Sequence, residues 1–353
     1  MKEIDFERNV SGLDITKAQV LEKWTEWEVE NKLLVKLIEP LQAHHLSFIK
    51  NTNSLSVLKI NTLSVNGPYP IIVKINKGTI PRKQTEWLLF KNIKETELKE
   101  FIPDVYEAQV CHDDETWVFM EYLTPFDQEK ELTVDHMYRM VSRVAELHAA
   151  TFEHQPVSTL LSGILSGFQS KGRTHHLDMM KSQLQQAKED PFLSQLINDH
   201  CPELYQLVEI DLDFPEVMKS GLCLNHGDLH IGNICYDSNE RIKFIDFTAA
   251  TYSPCWLDVV KLIEFMMDHH PEWGGQRKIR NKALRLYIQT MKKGGVKFTR
   301  NCYRLYRAAY LMTVFEKELR RHIKAILQGE TRYIFPGILK KISRFRKRLH
   351  LRL

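Results

Sequence analysis

Three polar residues in one short stretch have the types and spacing that phosphoryl transfer requires. Residues 224–247 read LNHGDLHIGNICYDSNERIKFIDF, in which Asn233 follows Asp228 by five positions and Asp246 comes thirteen positions later. A carboxylate can orient an attacking hydroxyl and accept its proton, while carboxylate and amide oxygens can hold Mg²⁺ against phosphates. We therefore predict Asp228 as the catalytic base, Asn233 and Asp246 as metal ligands, and Mg²⁺ as a cofactor.

The surrounding pattern predicts a hairpin that brings these three residues together. Two short runs, residues 233–236 and 242–245, flank a polar turn and are expected to form the strands of this hairpin. Asp228 and Asn233 precede the hairpin or open it, and Asp246 ends its second strand, so the hairpin can fold Asp246 back beside Asn233. One aspartate beside a hairpin is usually only a turn cap. The prediction of a site therefore depends on the set of three residues.

The motif HGDLHIGN followed by IDF resembles the catalytic and metal-binding motifs of the aminoglycoside phosphotransferase family, which is similar in fold to protein kinases and choline kinases. The resemblance implies an α+β, two-lobed protein-kinase-like fold. Its strand-rich N-terminal lobe would cover residues 1–123 and bind ATP or GTP. Its mainly helical C-terminal lobe, residues 124–353, would carry the catalytic loop, the metal site and the acceptor pocket.

Hydrophobic periodicity along the chain predicts elements in the same order. A helix over residues 14–41 precedes strands at 46–49, 56–63 and 70–75, a helix from Pro81 to about 95, and strands at 105–111 and 116–122. After a connector near residues 123–127, helices are predicted over residues 133–152, 175–188, 256–269, 277–292 and 301–326. By the resemblance, helices within 155–220 would shape the acceptor pocket.

The nucleotide-binding lysine is implied by the resemblance. Lys74 lies on the third predicted strand, where protein kinases carry a lysine that binds the α- and β-phosphates. Its acidic partner on the following helix would be Glu86, and Glu95 and Glu97 are nearby competitors. The expected pair is therefore Lys74 with Glu86.

The remaining nucleotide contacts are positional expectations. The strand WVFMEYL leads into the connector, where adenine would bond to backbone groups of Glu121 and Leu123. The phosphate-covering loop would be residues 51–56, which contain no glycine; hydroxyl and amide side chains can still donate to phosphate, and Ser54 is the expected contact. Thr248 stands where protein kinases carry glycine, and the A-P-E signature does not follow, which argues against a protein substrate.

Further roles near the motif are also implied by the resemblance. His230 falls where protein kinases carry a lysine that touches the γ-phosphate, and it either does the same or braces the loop. His226 would brace the loop too. Asp258 would be a structural carboxylate that opens a helix and stabilises the catalytic loop. His148 is expected to be a packing residue.

The acceptor is the least specified part of the prediction. Glu264 and Asp268 lie near His269 and Trp273, a set that would suit a cationic acceptor or would simply line a solvated helix end. An antibiotic-type kinase, acting on an aminoglycoside or another cationic antibiotic and conferring resistance, is the first hypothesis. A metabolite kinase for choline, homoserine or a sugar is the second, and a non-catalytic nucleotide-binding pseudokinase is the third.

Composition sets wider bounds on function. The 353 residues are 43% hydrophobic and carry a net charge of +4, typical of a globular protein. Six cysteines without a C-x-x-C pair indicate a reducing compartment, and no signal peptide or apolar run long enough for a membrane span occurs, so a cytoplasmic protein is expected. Residues 340–353 are basic, yet no recognition motif supports nucleic-acid binding. The sequence does not specify an oligomeric state.

Overall fold

The computed structural model describes residues 13, 15–77, 81–93, 96–111, 115–126, 132–154, 171–200, 215–315, 321, 323–325 and 327–328. The basic residues 340–353, the competitor Glu95, the first residue of the predicted N-terminal helix (Asp14), and residues 155–170 and 201–214 of the acceptor-shaping segment lie outside them.

An antiparallel sheet of five strands forms the N-terminal part of the chain. Its strands are β1 (Leu46–Thr52), β2 (Leu55–Ser64), β3 (Gly67–Lys77), β4 (Val105–Cys111) and β5 (Glu115–Glu121), arranged in the order β1-β2-β3-β5-β4. Helix α2 (Pro81–Ile93) joins β3 to the last two strands. All five strands and this helix confirm the predicted elements.

The predicted N-terminal helix is wrong in its second half. Helix α1 covers only Lys17–Glu26, where Thr16 and Gln19 form a capping box. Glu28 then adopts a left-handed backbone with φ 51°, a 3₁₀ turn follows, and Leu37 pairs with Ser64 of β2. The buried apolar residues after Glu26 therefore face the core from a chain that changes direction. Their contacts with the sheet stabilise this path instead of a continued helix.

Aromatic packing holds this N-terminal segment against the sheet. Trp24 packs edge-on against Phe119 of β5, and Trp27 packs edge-on against Trp117, each with ring centroids 6.0 Å apart. All four rings are buried. Because such aromatic side chains bury large apolar areas, they anchor the N-terminal segment to β5, the strand that leads into the connector.

Helices predominate after the connector, as predicted. They are α3 (Val134–Ala150), α4 (Lys171–Glu189), α5 (Pro191–His200), the single turn α6 (Pro215–Met218), α7 (Trp256–His269), α8 (Gln276–Lys293) and α9 (Cys302–Tyr310). A π-helical turn, Leu311–Phe315, follows α9. Short strands lie among them: β6 (Thr124–Pro125), β7 (Leu222–Asn225), β8 (Ile234–Tyr236), β9 (Ile242–Phe244) and β10 (Thr251–Pro254).

The predicted catalytic hairpin is present as β8 and β9. These two strands are antiparallel, with Cys235 opposite Lys243, and β6 from the connector pairs with β8. Strand β7 ends just before His226 and β10 begins after Asp246, and these two strands pair to form a second small sheet. The loop that carries Asp228 and the residue Asp246 are thus each fixed by flanking strands.

The chain divides into two compact units. The first consists of the described residues within Met1–Ile164 and Leu222–Lys297, and it holds the five-stranded sheet and the whole motif. The second consists of those within Leu165–Gly221 and Phe298–Leu353, with Met180, Leu184 and Ile197 among its buried residues. The predicted lobe boundary near residue 123 separates the chain differently and stays a prediction.

Candidate active site

A buried lysine joins two acidic side chains from different elements of the first unit. Lys74 lies on β3, Glu86 on α2, and Asp246 two residues after the end of β9. The Nζ atom of Lys74 lies 2.6 Å from Oε2 of Glu86 and donates a 2.8 Å hydrogen bond to Oδ1 of Asp246. The side chains of Lys74 and Glu86 are 7% and 1% exposed. The structure thus brings together three residues that the sequence predicted for the nucleotide and metal.

Opposite charges keep Lys74 and Asp246 ionised. Burial alone would lower the pKa of Lys74, but the carboxylates of Glu86 and Asp246 raise it above 10.5. Burial would likewise raise the pKa of Asp246, but the charge of Lys74 and hydrogen bonds from Lys74 and Thr248 lower it below 3.8. At neutral pH the site therefore presents a lysine cation beside an aspartate anion.

The backbone at Asp246 is turned so that its carboxylate meets Lys74. Asp246 has a left-handed conformation with φ 65°, which costs a non-glycine residue about 1–2 kcal/mol. The amide of Phe247 donates to Oε1 of Glu86 at 3.1 Å, and the hydroxyl of Thr248 donates to Oδ1 of Asp246 at 2.9 Å. Thr248, which departs from the glycine of protein kinases, therefore orients the carboxylate.

Asp228 is held by its backbone, while its carboxylate faces outward. Its side chain is 63% exposed. The amide Nδ2 of Asn233 donates to the carbonyl of Asp228 at 2.9 Å, and the carbonyl of Asn233 accepts from the amide of Ile245 at 3.0 Å. These bonds connect the loop to the residue next to Asp246. The three residues selected by spacing thus belong to one hydrogen-bonded site.

A buried carboxylate at the start of α7 supports the loop from below. Asp258 is 1% exposed and accepts hydrogen bonds from the amides of His226 and Gly227, the latter at 3.0 Å. The amide of Asp258 in turn donates to Oδ1 of Asn225 at 3.3 Å. The structural carboxylate that the resemblance implied is confirmed.

A histidine and a tyrosine complete the surroundings of Asp258. Tyr287 donates its only hydroxyl proton to the carbonyl of Cys255 at 2.7 Å, so Nδ1 of His148, 2.8 Å from that hydroxyl, must be the donor to it. Nε2 of His148 lies 3.8 Å from Asp258. Burial would raise the pKa of Asp258, but the nearby His148 lowers it. His148 is fully buried and packs behind the loop.

The two motif histidines brace the loop in different ways. Nε2 of His226 donates to the carbonyl of Ile245 at 2.7 Å, and burial lowers the pKa of His226 although the nearby Asp258 charge raises it. His226 is therefore neutral at neutral pH and confirms the expected brace. Nδ1 of His230 accepts from the amide of Gly232 at 3.1 Å, and its Nε2 lies 3.8 Å from Asp228. A contact between His230 and phosphate stays a prediction.

The predicted adenine-binding segment is tied to the catalytic hairpin. Oε2 of Glu121 accepts from Nζ of Lys243 on β9 at 3.0 Å and from the amide of Asp104 at 3.2 Å. Lys243 is 3% exposed and Leu123 is 5% exposed. The Glu121 side chain thus has a structural use, and backbone contacts of Glu121 and Leu123 with adenine stay predictions.

The predicted phosphate-covering loop is a tight two-residue turn. Thr52 pairs with Leu55, so only Asn53 and Ser54 lie between β1 and β2. The hydroxyl of Thr52 accepts from the amide of Leu55 at 3.1 Å, and the carbonyl of Ser54 accepts from the amide of Lys77 at 3.1 Å. Hydrogen bonds therefore hold this turn, which contains no glycine. The contact between Ser54 and phosphate stays a prediction.

One of the two predicted acceptor carboxylates is already neutralised. Glu264 is buried, and its Oε1 and Oε2 accept hydrogen bonds from Nε and Nη2 of Arg280 at 2.6 and 2.8 Å. Such a bidentate pair gives Glu264 a structural role between α7 and α8, which corrects its expected role as a free acceptor carboxylate. Asp268 is exposed on α7, and near it the exposed ring of His269 stacks on half-buried Phe265 with centroids 3.9 Å apart.

The donor set fits a magnesium ion that phosphates also ligate. Asn233 uses Nδ2 for Asp228, which leaves Oδ1 as the free end of its amide, and Asp246 supplies a carboxylate kept anionic. Among the described residues, no three His, Cys, Asp or Glu side chains form a metal-binding group. Mg²⁺ needs no such group, because it retains waters and accepts one or two protein oxygens together with phosphate.

One contact in the site was not predicted from the sequence. Lys261 on α7 donates a 2.6 Å hydrogen bond to the carbonyl of Gly227, next to Asp228. Lys261 follows Asp258 by three positions on a predicted helix, and residues so spaced share a face. That spacing is the signal that would have indicated it.

Comparison with known proteins adds a family and a fold. A family model described as ecdysteroid kinase-like matches residues 86–295. A search of curated proteins found no significant match.

Solved structures with the same fold include two small-molecule kinases. A spectinomycin phosphotransferase in complex with ADP and spectinomycin aligns with a TM-score of 0.52 and 14% identity over 95% of this chain and 94% of its own. A choline kinase from Cryptosporidium parvum Iowa II aligns with a TM-score of 0.50 and 11% identity over 90% of this chain and 91% of its own. The predicted kinase-like fold is confirmed. Within the part of the chain that the structure describes, no helix has the length and apolarity of a membrane span.

Proposed function

Because this chain belongs to the ecdysteroid kinase-like family, we propose that it transfers the γ-phosphoryl group of ATP to a hydroxyl group of a small molecule. The family is a small-molecule kinase family, in agreement with the enzyme class predicted from the motif; the family itself differs from the aminoglycoside phosphotransferases that the motif resembled. The ADP bound to the spectinomycin phosphotransferase of similar fold supports ATP as the donor.

The observation that carries the proposal is the ion-paired cluster of buried Lys74, buried Glu86 and half-exposed Asp246, together with an outward-facing Asp228. Lys74 would bind the α- and β-phosphates and Glu86 would hold it in place. Asp228 has no comparable ion pair in the part of the chain that the structure describes, and its exposed carboxylate is accessible to an acceptor. An exposed carboxylate on a hydrogen-bonded loop favours a kinase over a non-catalytic nucleotide-binding protein.

In the proposed reaction, Asp228 orients the acceptor hydroxyl and takes its proton. The acceptor oxygen forms a bond to the γ-phosphorus while the bond from that phosphorus to the β-phosphate oxygen breaks, and ADP leaves. The proton then passes from Asp228 to solvent or to the product phosphate. Asn233 and Asp246 would hold Mg²⁺, which neutralises phosphate charge when it is bound.

For the acceptor, we propose an uncharged ecdysteroid-like alcohol first. The family name points to this class, and the pairing of Glu264 with Arg280 removes one of the two charges expected to attract a cation. The Phe265–His269 ring pair offers a flat surface near the loop. A cationic antibiotic is the second candidate, because Asp268 is exposed on α7 and the spectinomycin phosphotransferase has the same fold.

The experiment is a phosphoryl-transfer assay with radiolabelled ATP and Mg²⁺, against an ecdysteroid, spectinomycin and choline. We expect a phosphorylated ecdysteroid with the wild type, and product formation that is at least about 100-fold slower with Asp228→Asn. Labelled spectinomycin or choline instead would replace the first acceptor while keeping the enzyme class. Tight Mg²⁺–ATP binding without any product or ATP hydrolysis would contradict the kinase proposal and favour the pseudokinase.

A further inference from the structure

Two side chains of opposite charge on α7, Asp258 and Lys261, bind the amide and the carbonyl of the same catalytic-loop residue, Gly227. Oδ1 of Asp258 accepts from the amide of Gly227 at 3.0 Å, and Nζ of Lys261 donates to the carbonyl of Gly227 at 2.6 Å. Positions three apart on a helix project from the same face, so one helix can supply both groups. The resemblance implied the contact of Asp258, but nothing in it implied that of Lys261.

Gly227 has little freedom to move away from this pair. Its φ is +82°, and a Cβ atom built on it would overlap the carbonyl oxygen of Ala249. The residue is therefore confined between Ala249 on one side and α7 on the other. The backbone conformation that glycine alone adopts readily is fixed here by contacts on two sides.

The carbonyl that Lys261 holds belongs to the peptide unit whose nitrogen is that of Asp228. The orientation of this planar unit sets the direction in which the Cα–Cβ bond of Asp228 points. The Asp228 side chain is largely exposed, and Nε2 of His230 lies 3.8 Å from its carboxylate. The direction of the Asp228 side chain therefore depends on its backbone. Lys261 binds the carbonyl of the peptide unit directly before Asp228.

We propose that Lys261 is a positioning residue for phosphoryl transfer, which holds the Gly227 carbonyl so that the Asp228 carboxylate stays aimed at the acceptor hydroxyl. This inference rests on the proposed function. Lys261 acts through the backbone and has no contact with the reacting atoms, so its loss should lower the rate of transfer and leave ATP binding unchanged.

The test compares Lys261→Met, Lys261→Arg and, as a matched control, Lys278→Met at an exposed lysine of α8. Turnover and KM for ATP are measured with the acceptor that the wild type phosphorylates, or with water in slow ATP hydrolysis. We expect about a 100-fold lower kcat for Lys261→Met with an unchanged KM for ATP, since small displacements of a reacting group cost about that much. Lys261→Arg, which can donate to the same carbonyl, should recover most of the rate, and Lys278→Met should match the wild type.

Hydrogen–deuterium exchange of the peptide that covers residues 225–232 gives a readout independent of catalysis. Exchange should be faster in Lys261→Met than in Lys261→Arg or the wild type. Unchanged exchange and an unchanged kcat in Lys261→Met would overturn the proposal, as would faster exchange at an unchanged kcat. A wild type that binds ATP yet never turns over, with exchange still faster in Lys261→Met, would overturn the kinase function and reduce Lys261 to a structural clamp.

Discussion

The nucleotide side and the acceptor side of the site are held in opposite ways. Lys74, Glu86 and Asp246 are fixed by their side chains, through ion pairs of 2.6 and 2.8 Å in which lysine and glutamate are almost fully buried. Asp228 is fixed by its backbone, and its carboxylate is 63% exposed. Under the proposed function, the groups that would bind the nucleotide are thus preorganised by charge. The group that would meet the acceptor has no comparable ion pair among the described residues.

The difference has an electrostatic reason. A buried ion pair strengthens when water is excluded, so the nucleotide side gains rigidity from burial. A general base paired in the same way would have a lowered pKa and a blocked oxygen. Support for Asp228 therefore comes from the loop backbone, through Asn233, Asp258 and Lys261.

The largest effect is expected at the base. Asp228→Asn should reduce turnover by about 10²–10⁴-fold, the usual contribution of a general base. Its unfolding free energy should stay near that of the wild type, because the side chain is 63% exposed. Turnover and denaturant unfolding measured on the same preparation check both statements, and a large loss of stability would contradict the contrast between the two sides.

A large loss of stability is expected on the nucleotide side. Lys74→Met leaves the buried Glu86 carboxylate without its cation, which should cost about 3–5 kcal/mol of unfolding free energy. The double variant Lys74→Met, Glu86→Gln removes that unpaired charge and should be more stable than Lys74→Met alone. Urea unfolding of both variants measures the coupling. Equal stability of the single and double variants would show that the ion pair does not hold this side.

A smaller effect is expected at Thr248. Thr248→Val removes the hydroxyl that donates to Asp246 while conserving shape, and should raise the KM for Mg²⁺–ATP by about 2- to 10-fold. Thr248→Ser keeps a hydroxyl and should remain close to the wild type. Steady-state kinetics at fixed acceptor concentration checks this, and equal KM values for the two variants would remove Thr248 from the orientation of Asp246.

The smallest effect is expected in the dependence of stability on pH. Because the pKa of His226 is lowered below 6.5 in the folded protein, the unfolded chain takes up this proton at a higher pH. The contribution of His226 to the unfolding free energy is therefore complete above pH 6.5 and is lost as the pH falls below it. Asp246 and Asp258 have pKa values lowered below 3.8 and add to the loss only below that pH. Between pH 6.5 and pH 3.8, His226 lowers the unfolding free energy by at most about 1.4 kcal/mol for each unit of pH decrease. Unfolding of the wild type and of His226→Gln between pH 8 and pH 4 checks this: a slope that persists unchanged in the variant would assign it to another group.

The sequence specified the catalytic loop and the hairpin because both depend on local chemistry. Asp228, Asn233 and Asp246 were recognisable from residue types and spacing, and strands bounded by polar turns were recognisable from alternation. The match between Lys74 and Glu86 needed the order of strand and helix as well. The loop and hairpin are encoded within one short stretch, whereas the Lys74–Glu86 pair was implied by the resemblance.

Other features depend on contacts between distant parts of the chain and could not be read locally. The helix predicted over residues 14–41 ends at Glu26, because Val29 and Leu37 are buried against the sheet. Glu264 was indistinguishable from a free carboxylate until Arg280, sixteen residues away, was placed beside it. Lys261 showed its spacing to Asp258, but not the glycine carbonyl that it binds.

The most direct test of the contrast between the two sides is the affinity for ATP with and without Mg²⁺, measured by calorimetry on the wild type, Asp228→Asn and Asp246→Asn. We expect Asp228→Asn to bind Mg²⁺–ATP as the wild type does, and Asp246→Asn to lose the gain in affinity that Mg²⁺ provides. Weakened Mg²⁺–ATP binding in Asp228→Asn, with an unchanged effect of Mg²⁺ in Asp246→Asn, would contradict the assignment of the two aspartates.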